Sequence, residues 1–520
     1  MNLHPIAHAR NRPNDTAVVM AGSGKSLTFG EMDEEANRFS QLLRARGFQH
    51  NDPFAILLEN RIEIFPIYWG SQRSGTLLVP ISTRLTAAEI AYILGDSDAK
   101  MLITSIAFND VLDDVRRACP DLPILVVDSA GDDDFDAALQ SYPVEPIADQ
   151  TAGLVMLYSS GTTGRPKGIT PPPPEDPHPE APIPQIALAV MGAQMPSDGS
   201  MVYLSPAPLY HAAPLAWCNV AHRLGAKVVV LEKFDPETAL AMIERHKVTD
   251  SQWVPTHFVR FLKLDKSIRD KYDLSSHARA LHAAAPCPIP IKRDMIEWWG
   301  EVLVEYYAGS ESIGMTMVRS PEWMTHQGSV GPAIHGILHV CGPDGEEVPK
   351  GEDGLIFFEN DRLPTYHKDP GKTAEAKHPK GWMTLGDIGH VDEEGYLYLT
   401  DRKSHMIISG GVNIYPQEIE NLLITHDKVM DAAVIGAPDD DLGEKVVAVV
   451  QPIDADILGS AGSQDLEAEL RAFLSADLAR IKLPKLFDFR AELPREANGK
   501  LYKRELRDEY KAAAAIGSAS

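Results

Sequence analysis

The stretch GLVMLYSSGTTGRPKG, residues 153–168, runs from an apolar strand pattern into a cluster of Gly, Ser and Thr that carries one Arg and one Lys. Glycines let the backbone turn its N–H groups inward, hydroxyls add donors, and Lys167 adds a point charge, so the segment is able to form a nest for an anion. By composition alone it also fits an ordinary surface turn, because Ser/Thr/Gly clusters are commonly loops. A second peculiarity follows at once: TPPPPEDPHPEAPIP, with eight prolines in residues 171–184. Proline lacks an N–H donor and favours the polyproline II path, so this segment is expected to leave the strand as a stiff, exposed excursion.

Around this stretch, short apolar runs (PFAILLEN, TLLVPIS, AKMLITS, LPILVVD, SMVYLSPAP, AKVVVLEKF) alternate with helical patterns such as EIFPIYWGSQRSG, TAAEIAYILGDS and TALAMIERHKV. Short buried strands separated by helices indicate an α/β fold with layered, largely parallel sheets. Near the N-terminus, AVVMAGSGKSLTFGE predicts two strands about a Gly-rich turn, followed by a helix that stops at Gly47. The GSGKS within it is no Walker loop, since the first glycine of that motif would fall at Val19. Segments GILHVCGPDGEEVPKGEDGLIFFEN and GHVDEEGYLYLTDR have the texture of antiparallel hairpins, a small β-rich part. From residue 403 a smaller α+β unit is expected, with strands at VMDAAVIGAP and KVVAVVQP and a helix at SQDLEAELRAFLSADL. The tail KAAAAIGSAS is expected to fray. The organisation expected is therefore a large multi-subdomain N-terminal domain, 1–402, and a small C-terminal domain, 403–520.

At 520 residues the chain exceeds a single hydrophobic core. A net charge of −25 repels nucleic acid and anionic membrane surfaces, so any anionic ligand must be met by locally placed cations. No apolar run approaches the ~18 residues of a membrane span, and the N-terminus lacks a signal-peptide core, which predicts a cytoplasmic protein. Cys119, Cys218, Cys287 and Cys341 show no metal-ligand spacing and are expected to be plain buried thiols.

The string YSSGTTGRPKG matches in full the signature loop of the adenylate-forming enzyme superfamily, which includes acyl- and aryl-CoA synthetases, luciferases and peptide-synthetase adenylation domains. Further matches follow in the family's order, and the resemblance covers roughly residues 15–508. It implies that Ser159, Ser160, Gly161, Thr162, Thr163, Gly164 and Lys167 hold the phosphates of ATP, with Thr163 and Lys167 close to the chemistry. VEYYAGSESIG (304–314) resembles the family's Tyr-Gly-x-Thr-Glu motif, which implies adenine stacking by Tyr307, a phosphate donor at Ser310 and Mg²⁺ at Glu311. One carboxylate suffices, because Mg²⁺ completes its shell with phosphate oxygens and water. ALHAAAPCP (280–288) resembles a small-residue segment beside the nucleotide and the acyl group: Ala283, Ala284, Ala285 and Pro286. Within residues 381–420, Asp387 is implied to accept both ribose hydroxyls and Arg402 to grip the same sugar. Gly410 and Gly411 would line the path of coenzyme A. LPREANGKLYKRELR (493–507) resembles the C-terminal lysine motif, with Lys500 as the catalytic cation. Two departures stand out: Asp401 where the family commonly has Gly, and Ser404 at the hinge position, where Asp or Lys is common. Hinge motion of a mobile C-terminal domain is part of what the resemblance implies.

The implied reaction joins a carboxylic acid to ATP as acyl-AMP, with release of pyrophosphate, and then to CoA as a thioester. The implied acyl pocket includes Tyr210, His211, Trp253, His257, Ala283 and Gly309, with Trp217 and Phe258 nearby. His211 could gate the carboxylate or pack, and the two tryptophans could belong to core or pocket. No Asp stands in PLYHAAPLAW to pair with an amino group, which points to a fatty, aryl or cyclic acid. Loading of a carrier protein, a luciferase-like oxygenase and a non-catalytic scaffold are the rival readings, and a homodimer is left open. The proline segment is either a plain surface loop or a contact that shapes the acyl entrance or a subunit interface.

Overall fold

A computed structural model describes residues 3–159, 166–439, 441–495 and 501–517. Ser160, Gly161, Thr162, Thr163, Gly164 and Lys500 lie outside the described residues.

Local chemistry sets the element boundaries. Thr28 opens helix Phe29–Ala45 with a capping box: its Oγ1 accepts the Glu31 N–H at 3.2 Å, and Glu31 Oε2 accepts the Thr28 N–H at 2.8 Å. The helix ends before Gly47, at φ 82°. Thr86 and Glu89 repeat the box at Ala87–Asp96, and Asp235 caps Pro236–His246.

Two sheets carry the N-terminal domain. One has nine strands, of which Leu303–Ala308, Arg279–His282, Asp250–Trp253, Val202–Ser205, Lys227–Val230 and Thr16–Met20 run parallel in that spatial order. The other is wholly parallel, in the order Ile124–Val127, Leu102–Ser105, Pro53–Leu57, Leu77–Pro80, Leu154–Val155. Helices cover the sheets and close continuous cores, as the β-branched runs require. The hairpins form a five-stranded antiparallel sheet that includes Asp387–Val391 and Leu397–Arg402.

The small C-terminal domain has its own sheet and core. Strand Val429–Asp439 pairs along its length with Gly443–Pro452, and Leu466, Leu470 and Leu474 form the i, i+4 stripe of helix Ala461–Asp477 that seals the sheet.

Three expectations are corrected here. The tail keeps regular structure beyond residue 511: helix Lys503–Gly517 continues into it, because alanine is the best helix former and because Leu506 is buried and Tyr510 Oη donates to Asp488 at 2.8 Å. Of the four thiols, Cys218 and Cys341 are buried, whereas Cys119 and Cys287 are only half-buried. The proline segment is exposed from 173 to 178 and bends at Glu175–Asp176, yet it is no free excursion. The Ala152 N–H (2.7 Å) and the Thr151 hydroxyl (3.0 Å) donate to the Pro177 carbonyl, and Arg223 donates to the carbonyls of Ala181 (3.0 Å) and Pro179 (3.3 Å). The segment is a strap tied across the domain, leading into a short helix at Pro184–Ala187.

Candidate active site

The carboxyl ends of the parallel strands Arg279–His282 and Leu303–Ala308 open into a cavity of about 2270 Å³. Ligands of α/β sheets bind at such ends. Most of the motifs read from the sequence contribute described residues to its walls. Ser159 and Lys167 arrive on a small antiparallel sheet, Ala283 to Pro286 follow one strand, Tyr307 to Glu311 follow the other, and Asp387 and Arg402 come from the hairpin sheet. From the C-terminal domain come Glu420, Asn421, Arg495, Leu501 and Lys503, so the residues flanking 496–500 face the same space.

Asp387 is the hub. It is buried; its Oδ2 accepts the Tyr307 hydroxyl at 2.6 Å and its Oδ1 accepts Arg402 Nε at 3.0 Å. Desolvation, and then the Asp387 charge, push the Tyr307 phenol well above its ordinary range, so it stays protonated and donating. The same carboxylate holds Arg402 firmly charged. A carboxylate offers about four lone-pair sites, so two remain for a vicinal diol. Tyr307 is thus a fixed donor as well as an aromatic wall, a role its motif position did not announce.

Glu311 is held by the Tyr366 hydroxyl, which donates to Oε1 at 3.0 Å. Its other oxygen accepts no hydrogen bond among the described residues, and a hard carboxylate at the cavity wall fits Mg²⁺ completed by phosphate and water. No cluster of three or more metal-ligating side chains occurs among the described residues. Gly309 has no room for a side chain: a Cβ would lie 2.5 Å from Leu385 Cδ2 and 2.8 Å from Glu311 Oε2. Ala284 adopts φ 76°, a left-handed conformation that costs an L-residue roughly 1–2 kcal/mol. Lys167 is not an unpaired point charge. Its Nζ lies 2.6 Å from Asp369 Oδ2, and this bond holds the Asp369 carboxyl below its ordinary range. A phosphate would have to share or displace that partner.

The acyl-side expectations divide. Tyr210, His211, Ala283, Gly309 and Trp217 line the cavity, with Trp217 Nε1 donating to the Tyr306 hydroxyl at 2.9 Å. Trp253 borders it, but its indole is 1% exposed and packs edge-on against Phe234, Phe261 and Trp299, so it belongs to the core. His257 does not reach the cavity: it stacks on Phe234 at 3.8 Å, and burial pushes its imidazole down to about 3. Phe258, fully buried against His282, is likewise core. The helix Pro255–Leu262 turns Pro255, Thr256 and Val259 to the cavity, and the two aromatics lie on its other side.

Gly410 and Gly411 form the two-residue turn of the hairpin Ile407–Ser409/Val412–Ile414, at φ 57° and 79°, the left-handed pair that a type I′ turn demands. They stand outside the cavity wall. At the domain junction Asp401 accepts the N–H of Gln417, in the first turn of helix Pro416–Leu423, at 3.1 Å, and lies 3.6 Å from His405. Ser404 follows, its carbonyl accepting from Arg507 at 2.7 Å. The residue that departs from the family's glycine therefore ties the two domains together.

Asp369, Tyr366, Tyr306 and Arg223 are the groups at this site that the sequence did not single out. Tyr306 sits beside Tyr307 within a motif that marks only its neighbour, the other three stand in no motif, and each acquires its place through a partner distant in the chain.

The model of the AMP-binding enzyme family matches residues 6–363, and that of the AMP-binding enzyme C-terminal domain matches residues 418–500. The long-chain-fatty-acid–CoA ligase FadD13 of Mycobacterium tuberculosis is 32% identical over 505 residues, 96% of each chain. The fatty acid–[acyl-carrier-protein] ligase ScoC of Streptomyces coeruleorubidus is 29% identical over 97% of this chain and 95% of its own. Among solved structures, the anthranilate CoA ligase AuaEII in complex with anthranoyl-AMP superimposes with a TM-score of 0.81 at 25% identity, covering 98% of both chains. The match across both domains, with its motifs gathered on one cavity, makes this chain a member of the AMP-binding enzyme family.

Proposed function

We propose that the chain is an AMP-forming acyl-CoA synthetase for a lipophilic carboxylic acid. The carrying observation is the single cavity that joins the Tyr307–Asp387–Arg402 cluster to an apolar channel along helix Ala212–Arg223. In the first step the substrate carboxylate attacks the α-phosphorus of ATP, the bond to the β-phosphate breaks, and acyl-AMP and pyrophosphate result. In the second, the CoA sulfur attacks the acyl carbonyl carbon, AMP leaves with the electron pair, and the thiol proton passes to solvent. Two anions must meet in the first step, so catalysis is chiefly positioning and fixed positive charge.

Asp387, already oriented by Tyr307 and Arg402, would take the ribose diol. The loop Ser160–Gly164 and Ser310 would donate to phosphate, and Lys167, shared with Asp369, would add charge beside them. Glu311 would hold Mg²⁺, which when bound supplies positive charge to the triphosphate. The strained turn at Ala284 would bring the backbone close to the adenylate without side-chain bulk. Lys500 would enter as catalytic cation from the C-terminal domain, and rotation about Ser404 would then exchange it for the Gly410–Gly411 face and the CoA thiol. A cytoplasmic location belongs to the same proposal, since its substrates are ATP and CoA.

Pyrophosphate release across a panel of acids, with and without CoA, tests the class. Release with AMP and acyl-CoA as final products is expected. Efficient transfer to a carrier protein in place of CoA would favour the reading suggested by ScoC. Lys500→Ala is expected to lose adenylation yet keep thioester formation from supplied acyl-AMP, and equal loss of both steps would sink its assignment.

A further inference from the structure

We infer that the acyl channel ends in an oxygen-selecting subsite at Arg223, so that the preferred acid carries a carbonyl or carboxylate oxygen at the end remote from the carboxyl group being activated. The inference rests on the adenylating role proposed above and names the class of acid.

Helix Ala212–Arg223 faces the cavity through Ala213, Ala216, Trp217, Val220 and Arg223, the three-to-four spacing of one helical stripe. From His211 to Arg223 the stripe spans roughly 18 Å at 1.5 Å per residue. Small and apolar residues make up its length, and a guanidinium closes it. The proline strap forms the facing wall at this end, with Pro179, Ala181 and Pro182.

Arg223 is 5% exposed. Two of its nitrogens donate to the strap carbonyls of Ala181 and Pro179, and the side chain lies 5.8 Å from the centroid of the Trp69 ring. No carboxylate comes within ion-pair distance of it among the described residues. Glu180, which follows the strap carbonyl of Pro179, pairs with Arg10 at 3.5 Å. Burial of a cation is costly unless an anion or strong acceptors meet it, and the fork of five N–H groups is only partly used by two carbonyls. Desolvation accordingly draws the Arg223 pKa down. An oxygen at the far end of the substrate would complete the fork inside the channel, as bidentate Arg recognition of carboxylates does. A clamp that served the strap alone would need no opening onto the cavity.

The experiment uses the full chain and matched pairs of acids: an α,ω-dicarboxylic acid against the monoacid of equal length, and a ring-ketone acid against its deoxo analogue. Pyrophosphate release should favour the oxygenated member by about 10- to 100-fold in kcat/KM, the worth of a hydrogen bond to a charged group. Arg223→Met should erase that preference, so that the oxygenated member of each pair loses about 10- to 100-fold in kcat/KM relative to its partner. Arg223→Lys should keep part of the dicarboxylate preference and lose most of the ketone preference, since a point charge lacks the fork. An equal fall for every acid in Arg223→Met, or no preference in the unaltered protein, overturns the inference and leaves Arg223 as the strap's clamp. Calorimetric binding of the same acids without ATP separates the two readings. A preference in binding that Arg223→Met removes, without pyrophosphate release from any acid, would refute the adenylating role and uphold the subsite.

Discussion

Replacing Asp387 by Asn tests the hub of the site directly. Of the carboxylate's roughly four lone-pair sites, Tyr307 Oη at 2.6 Å and Arg402 Nε at 3.0 Å use two and leave two for the ribose hydroxyls. Asparagine keeps one acceptor oxygen and turns the other into an amide nitrogen that cannot accept. At least one charge-assisted bond to the nucleotide is then lost, worth about 1.5–3 kcal/mol. With a factor of ten for every ~1.4 kcal/mol, the KM for ATP should rise by about 10- to 150-fold. The ribose is remote from the reacting phosphorus, so the lost interaction is the same in ground and transition states and kcat should change little. Initial rates of pyrophosphate release at saturating acid measure both constants, and repeating them with 2′-deoxy-ATP isolates the contact. The unaltered protein should discriminate against the deoxy nucleotide, and Asp387→Asn should discriminate much less, which makes the comparison a double-mutant cycle with one partner on the ligand. An unchanged ratio of ATP to 2′-deoxy-ATP in the variant, or a loss confined to kcat, would refute the reasoning.

Lys292 Nζ, from helix Ile289–Trp299, lies 2.5 Å from Oε2 of Glu305 on the strand that carries Tyr307, and both residues are buried. Lys292→Met should therefore destabilise by ~3–5 kcal/mol in urea unfolding, and adding Glu305→Leu should recover much of the loss. Burial pushes His222 down to about 4 and His257 and His277 to about 3, so all three are neutral in the folded chain. Because the unfolded chain binds the extra protons, stability is full above pH ~6.5 and falls as pH drops toward 4, by roughly 2 kcal/mol per histidine at pH 5. Thermal midpoints that stay flat from pH 7 to 5 would contradict this. Ala284→Gly should relieve the φ 76° strain and raise stability by about 0.5–1 kcal/mol, read as a shift in denaturant midpoint at unchanged slope.

What could be read in the sequence, and what could not, divides along a physical line. Caps, strand runs and contiguous motifs are local, and Thr28 with Glu31, the valines at 228–230 and the Tyr307–Glu311 segment all stand where local rules put them. Pairings across the fold are not local: Lys167 meets Asp369 and Glu311 meets Tyr366 through a loop that no motif marks. Residue type also misleads where helical phase decides, as at His257, an aromatic suited to a pocket but turned away from it, while Thr256 beside it faces in. The strap adds the sharpest case. Proline content predicts an extended path but is silent on what anchors it, and the anchor is a cation at the end of an otherwise apolar helical stripe. That stripe, Ala213, Ala216, Trp217, Val220 and then Arg223, is written in the sequence with the correct spacing. Its meaning needs the strap on one side and the cavity on the other, because only burial turns a routine helix-terminal arginine into a charge in search of an oxygen.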